Sequence, residues 1–461
     1  MPPQIATVVF VLGILGLFWL DHDREARTSK ALWIPVLWLL IIGSRPVSLW
    51  LQIGPTFDTP DKYLEGSPLD AFVFGTLLAA GLIVLVGRRR QVGLLLRANW
   101  PILLFFSYCA LSTLWSDYPF VAFKRWTKAV GDVVMVLVVL TDPDPSSALK
   151  RLLARAAFLL VPVSVLFIKY FPDLGRTYNQ WTWVPMYSGV TTQKNGLGMI
   201  CLVLGLGFLW RSLEQYRTKG EPHRRRHLLA HGAILAMVIW LFWKSNSITS
   251  LSCFIMAGGL IAMTSLVRLA RKPVVVHLLV AAVVSVSFSA LFLDVGGGAL
   301  KTMGRDSTLT GRTEIWTHVL WVAGNPLLGT GFESFWLGDR LANVWSIMPG
   351  IQEAHNGYLE VYLNLGWIGV TLLAVLIMTG YRNVIVAFRR DRHLGMLKLA
   401  YFVAAVIYSL TEAGFRMMSP IWVFFLLATI AVPEPSVLNA PNLDKQVTPP
   451  DYWVREYEEV V

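Results

Sequence analysis

Charge is what this chain has least of: Asp, Glu, Lys and Arg make up only 15% of its 461 residues, where a soluble globule carries about a quarter. That scarcity excludes an ordinary water-soluble domain. Cysteine is nearly as rare. The three present, Cys109, Cys201 and Cys253, sit inside apolar stretches at no metal-ligand spacing, which excludes a disulfide framework or a cysteine zinc site and leaves the redox compartment open. No internal repeat is recognisable. Gly329-Thr-Gly331 does not follow a strand pattern, so a nucleotide-binding loop is not expected. The net charge of +11 invites a nucleic-acid partner. The basic residues, however, form short clusters between apolar runs with no stripe along one face, so no nucleic-acid binding is expected.

What is abundant is apolar residue, 55% of the chain at a mean hydropathy of +0.55. The runs lie near 4–20, 31–50, 70–87, 99–115, 126–140, 152–170, 188–210, 228–243, 248–267, 274–293, 357–380, 399–411 and 418–432. Most approach the ~20 residues a helical span requires. Many of the 19 Trp stand at their edges, where indole favours the headgroup zone. The reading is an all-α polytopic membrane bundle of about 12–13 spans. Ile5–Leu20 follows no basic segment and is expected to be a first span, not a cleaved signal.

The clusters Arg24/Arg27/Lys30, Arg88–Arg90 with Arg97, Lys150/Arg151/Arg155, Arg211 to Arg226, Arg268/Arg271/Lys272 and Arg382 to Lys398 all fall on one side of such a bundle. That side is expected to be cytoplasmic. Residues 1–432 form the membrane domain in this reading. The tail from Pro433, rich in Pro and acids, is expected to be a disordered cytoplasmic segment.

The longest connection, about 294–356, then lies on the opposite face, and long loops in compact proteins are usually functional. Apolar residues at Ile315, Trp316, Val319, Leu320 and Ala323 have the spacing of a helix with one greasy face. Gly324-Asn325-Pro326 would end it, and Gly329 and Gly331 allow close backbone approach. Arg305 and Arg312 precede this helix, and His355 and Asn356 stand where the next span begins. A guanidinium presents a fork of donors suited to phosphate oxygens. A histidine near its ordinary pKa of ~6.5 can take a proton from a hydroxyl. Together they suit an anionic lipid phosphate at the membrane surface. Glu314 and His318, four apart on the helix, could ligate a metal, but no second pair supports this, and no metal is expected.

Several segments resemble the O-antigen ligase/polymerase superfamily: Leu111-Ser-Thr-Leu-Trp-Ser116-Asp-Tyr-Pro119 followed by Lys124-Arg125, Gly189-Val-Thr-Thr-Gln-Lys-Asn-Gly-Leu-Gly198, Leu309-Thr-Gly-Arg-Thr-Glu-Ile-Trp316, Asn325-Pro-Leu-Leu-Gly-Thr-Gly-Phe332 and Ala354-His-Asn-Gly-Tyr-Leu359. The Gln-Lys-Asn and Leu-Thr-Gly-Arg-Thr forms are most similar to its ExoQ-like exopolysaccharide polymerase branch. The resemblance runs from about Leu94 to Trp422. It implies a metal-independent, cofactor-free glycosyltransferase at the outer face of the bacterial inner membrane. There an acceptor hydroxyl attacks the anomeric carbon of an undecaprenyl-pyrophosphate-linked glycan. The family's loop His and Arg fall on His355 and Arg312. Membrane lipids and other exopolysaccharide assembly and export proteins are the further partners implied.

One departure stands out. Where the superfamily often carries a cation after a serine, Lys244-Ser-Asn-Ser-Ile-Thr-Ser250 has Ile248. Either Lys244 or Lys194 would supply the missing charge, or the pyrophosphate is held differently. Lys194, within a span and beside Asn195, is favoured because an ionisable residue there is costly to keep; snorkelling to the interface is its bland alternative. Arg125 and Arg416 are assigned to the same outer face. Glu353 and Glu360 flank His355 and are expected to tune it. Ligation of a finished glycan shares the same chemistry. A lipid-linked sugar transporter would instead gather its charges near the midplane on broken helices in repeated halves.

Overall fold

The computed structural model describes residues 1–22, 28–53, 64, 66–178, 183–218, 223–267, 272–292 and 310–432. Arg305, the opening of the long loop and the tail from 433 lie outside them. Eighteen helices and one hairpin are labelled here among the described residues: α1 (Pro3–Leu20), α2 (Trp33–Ile42), α3 (Val47–Trp50), α4 (Pro68–Gly87), α5 (Arg89–Ala98), α6 (Trp100–Ser112), α7 (Pro119–Leu140), α8 (Pro145–Tyr170), α9 (Pro172–Gly175), β1 (Arg176–Tyr178), β2 (Pro185–Tyr187), α10 (Lys194–Arg217), α11 (Arg224–Ser245), α12 (Ile248–Leu266), α13 (Pro273–Phe292), α14 (Thr310–Val322), α15 (Gly338–Ile347), α16 (Gly357–Arg390), α17 (Arg392–Tyr408) and α18 (Pro420–Thr429). β1 pairs with β2 antiparallel, Thr177 opposite Met186. The chain is a multi-pass, all-α membrane protein.

Proline at the first helical turn, where its missing N–H costs nothing, opens α4, α7, α8 and α18. Side-chain caps start two others. Asn356 accepts from the Tyr358 and Leu359 amides at 3.0 Å each, and Asp391 accepts from His393 and Leu394. Such caps contribute about 1 kcal/mol apiece.

Each of the thirteen apolar runs forms a helix, though not every one is long and apolar enough to count alone as a span. Seven described helices are long and apolar enough to cross a membrane, or eight if α5 and the segment Trp100–Trp115, bent by 89°, act as one. The reasons are local. α7 carries Lys124, Arg125, Lys128 and Asp132. The α5–α6 bend is pinned where Asn99 exchanges hydrogen bonds with Ala431, 3.0 and 2.9 Å. α18 has ten residues, about 15 Å at ~1.5 Å per residue, half a bilayer core of ~30 Å.

The alternation of sides is supported by contacts between loops distant in sequence. At the basic end, Asp21 meets Arg211, Asp142 accepts from Ser29, and Trp210 donates to the His393 carbonyl. At the other end, Arg45 reaches the Thr191 carbonyl, Gly357 donates to the Ser409 carbonyl, and Thr249 bonds Thr411.

The long loop is anchored by a break in α16. Gly366 takes φ 63° and ψ −165° inside that helix, freeing backbone groups that must be paired at this depth. The 326–331 segment pairs them: Trp367 donates to Pro326 O and Ile368 to Leu327 O, while Thr330 and Gly331 donate to Leu363 O and Asn364 O. A Cβ on Gly331, at φ 95°, would lie 2.8 Å from the Ser112 carbonyl and from Ser116 Cβ, so the close approach expected of this glycine is real. α14 and α15 pack a small core of their own through Ile315, Val319, Leu341 and Val344 beside Phe335 and Trp336. Of the expected greasy face, Leu320 is the exception and is exposed.

Candidate active site

The connection 409–419 between α17 and the short α18 carries Glu412. This side chain is buried and draws together three elements. Arg312 of α14 donates to its Oε1 at 2.8 Å. Asn195 at the start of α10 donates to Oε1 and Oε2 at 3.2 and 3.4 Å. His355, just before α16, places Nδ1 3.2 Å from Oε2. The same Nδ1 lies 3.0 Å from Glu353 Oε1. Arg416 continues the chain of charges, 3.9 Å from Glu353 and 3.2 Å from Glu333 Oε2, and Arg125 donates to the Glu333 carbonyl. Arg312 and His355 are therefore neighbours across one carboxylate.

His355 (φ 49°) and Glu333 (φ 50°) both occupy the left-handed region. Non-glycine residues are found there at a cost of order 1–3 kcal/mol, usually where surrounding structure imposes it and often at functional sites. For His355, the imposing contacts are the caps and pairs around it. Glu360 accepts from the Trp336 indole at 2.9 Å and from the Ala354 amide at 2.5 Å, fixing the residue before the histidine.

The electrostatics follow. Burial works against a charged His355, but the hydrogen bonds and charges of Glu353 and Glu412 outweigh it and push its pKa up to about 10. Burial would raise Glu353; His355, Arg416 and Arg312 hold it lower instead. Burial opposes the charge on Arg416, yet Glu333, Glu360 and Glu353 raise its pKa. The rise at His355 favours the imidazolium, a hydrogen-bond donor and cation, over the neutral base.

Beside Glu412 opens a cleft of about 610 Å³. Lys194, Asn195, Ser247, Thr249 and Arg312 line it together with Cys253, Met256 and Val286. The first turns of α10 and α12 face it, adding the partial positive charge of two helix N-termini. It brings the cations Lys194 and Arg312 together with apolar side chains of α12 and α13.

The expected residues divide. Lys194 and Asn195 line the cleft with Ile248. Lys244 does not; its ammonium lies over the Trp243 and Tyr187 rings, 4.1 and 5.1 Å from the centroids. Arg125 faces Glu333, away from the cleft. Asn356 spends its side-chain oxygen on capping α16. Glu360 does not touch His355, so of the two flanking acids only Glu353 tunes it; the second tuning acid is Glu412. Glu314 is exposed and His318 stacks on Trp321, so that pair forms no metal site. The ligand atoms of Glu353, His355 and Glu412 do lie within 4.8 Å of one another. Their charges are already met by Arg312, Arg416 and the protonated ring, a poor donor set for a cation.

Sequence reasoning missed Glu412 and gave Glu333 no role. The available signal was an acid at the outer edge of the apolar run 399–411, where a carboxylate needs a partner.

Comparison with known proteins agrees with the resemblance read from the motifs. Residues 224–374 match the family model described as O-antigen ligase. Exopolysaccharide production protein ExoQ of Rhizobium meliloti (strain 1021) is 28% identical over 313 residues, covering 65% of this chain and 68% of that protein. The matched region holds Arg312 and His355, while Lys194 and Glu412 lie to either side of it. The chain is thus similar to the O-antigen ligase family over residues 224–374 and to an exopolysaccharide production protein over 65% of its length.

Proposed function

We propose that this protein polymerises undecaprenyl-pyrophosphate-linked oligosaccharide repeat units into an exopolysaccharide, at the periplasmic face of a bacterial inner membrane. The observation that carries the reading is the cleft: cations, helix N-termini and apolar residues share one lining that includes Glu412, with His355 next to that carboxylate. That combination suits a substrate with a pyrophosphate head and a polyprenyl tail. Lys194 and Arg312 would hold the pyrophosphate. The acceptor hydroxyl oxygen bonds the anomeric carbon as the bond from that carbon to the pyrophosphate oxygen breaks. Preorganised cations in a water-poor site stabilise the charge the leaving group gains. The hydroxyl proton passes to a carboxylate of the Glu353/Glu412 pair, and the imidazolium of His355 donates a hydrogen bond to a reacting oxygen. The midplane charges on repeated halves expected of a transporter are not the pattern on which this site is built.

Ligation of a finished glycan to another acceptor uses the same chemistry, and the match to an O-antigen ligase model keeps it as the second reading. Lipid-linked glycans from a deletion strain discriminate. Accumulated single repeat units support the polymerase; accumulated long chains refute it in favour of a ligase. Restoration of polymer by a plasmid-borne His355→Ala or Arg312→Ala variant, at normal protein level, would remove that residue from the chemistry.

A further inference from the structure

At the opposite, basic end of the bundle lies a second cavity of about 270 Å³ that the proposed reaction does not use. It sits between the end of α1, the start of α2, the first half of α8 and the end of α10. Ser147, Arg151 and Arg155 succeed one another at four-residue spacing along α8, which puts them on one face, and Lys150 and Arg211 complete a basic wall. Two like charges at that spacing repel. Arg155 lies over the Trp33 ring, 4.1 Å from its centroid, and its buried Nη1 has no hydrogen-bond partner among the described residues. The buried Nη1 of Arg211 has none among them either, although its Nη2 is paired with Asp21 at 2.9 Å.

The acids nearby are already committed. Asp21 Oδ1 is bonded to Arg211, His227 and His231 at 2.9, 3.1 and 3.1 Å, and Glu214 takes Lys150 at 2.6 Å. Arg155 has no carboxylate partner among the described residues. A buried guanidinium donor left unpaired is costly, and a tetrahedral oxyanion is the group that offsets it, since its oxygens accept from several guanidinium forks at once. Trp33 and Phe18 leave an apolar rim.

We propose that this cavity binds a phosphate group, held by Arg151, Arg155 and Arg211. The chemistry is shared by two sources: the headgroup of an anionic phospholipid from the basic-side leaflet, and a free phosphate. The position between spans with an apolar rim favours the lipid.

Full-length protein in nanodiscs of mixed phosphatidylcholine and phosphatidylglycerol, released for native mass spectrometry, tests this directly. Wild type should retain phosphatidylglycerol over phosphatidylcholine by roughly tenfold or more, given about 1 kcal/mol per basic residue near a membrane surface. Arg155→Gln should lose most of that preference and Arg155→Lys only part of it. In a parallel arm, inorganic phosphate added to protein in phosphatidylcholine alone should leave its melting temperature unchanged. A rise abolished by Arg155→Gln would keep the phosphate site but assign it to the soluble source. No lipid preference in wild type together with no response to phosphate overturns the proposal, and so does a preference that survives Arg155→Gln intact. The wild-type measurement stands even if the glutamine variant fails to fold. It is also independent of polymer synthesis at the other face.

Discussion

Glu412→Gln removes one charge from the centre of the candidate site while keeping nearly the same shape. His355 has its pKa raised from an ordinary ~6.5 to about 10 by Glu353 and Glu412 against burial. At ~1.4 kcal/mol per tenfold change in proton affinity, that rise represents roughly 5 kcal/mol in favour of the charged ring. Two carboxylates provide it against burial, so losing one should bring the ring's pKa down. A folded-state value above the unfolded one means the His355 contribution to stability is complete below about 6.5. It is lost as pH rises through about 10 in wild type. The variant should lose its share at a lower pH. Arg312 also loses its partner, and breaking a largely buried pair costs up to ~3–5 kcal/mol; because Arg312 is 18% exposed and glutamine still accepts a hydrogen bond, a loss of roughly 2 kcal/mol is expected. The assay is polymer formation from lipid-linked repeat units by purified protein across pH, alongside thermal melting. Wild-type activity should persist through neutral pH and fall as pH rises towards 10, and the variant's falling limb should move to lower pH. Superimposable limbs in the two proteins would refute the claim that Glu412 keeps His355 protonated. A wild-type limb near 6.5, with activity rising above it, would refute the imidazolium itself and restore His355 as a resting base.

Lys194→Ala should lower kcat/KM on the order of tenfold or more by removing a cation from the leaving-group end of the cleft, whereas Lys244→Ala, whose charge rests on Trp243, should leave it unchanged; equal effects would return Lys194 to snorkelling. Gly331→Ala should lower the melting temperature by the equivalent of at least about 2 kcal/mol, since the left-handed backbone and the Ser112 contact both oppose a Cβ, and an unchanged melting curve would contradict the packing of that loop. Chelator should not inhibit purified enzyme; inhibition reversed by a divalent cation would show that Glu353, His355 and Glu412 hold a metal.

Much of this protein was legible before its structure. Hydropathy over windows of span length marks helices because a bilayer forces the backbone to bond within the segment, so all thirteen apolar runs became helices. Basic clusters order the loops because charge is held to one side, and the contacts at the two ends agree. Arg312 and His355 stood out because they lie in a loop beside short motifs. What a linear reading could not supply was which charges neutralise which. Glu412 follows an apolar run 57 residues after His355, and Glu360, close to the histidine in sequence, points instead at Trp336. Only the tertiary structure brings the 409–419 segment to where Arg312, Asn195 and His355 meet one carboxylate. Helix propensity and hydropathy are local quantities, carried by each segment alone. The protonation of His355 depends on two acids brought to 3.0 and 3.2 Å by chain separated in sequence, and distance in space is what sets an electrostatic energy.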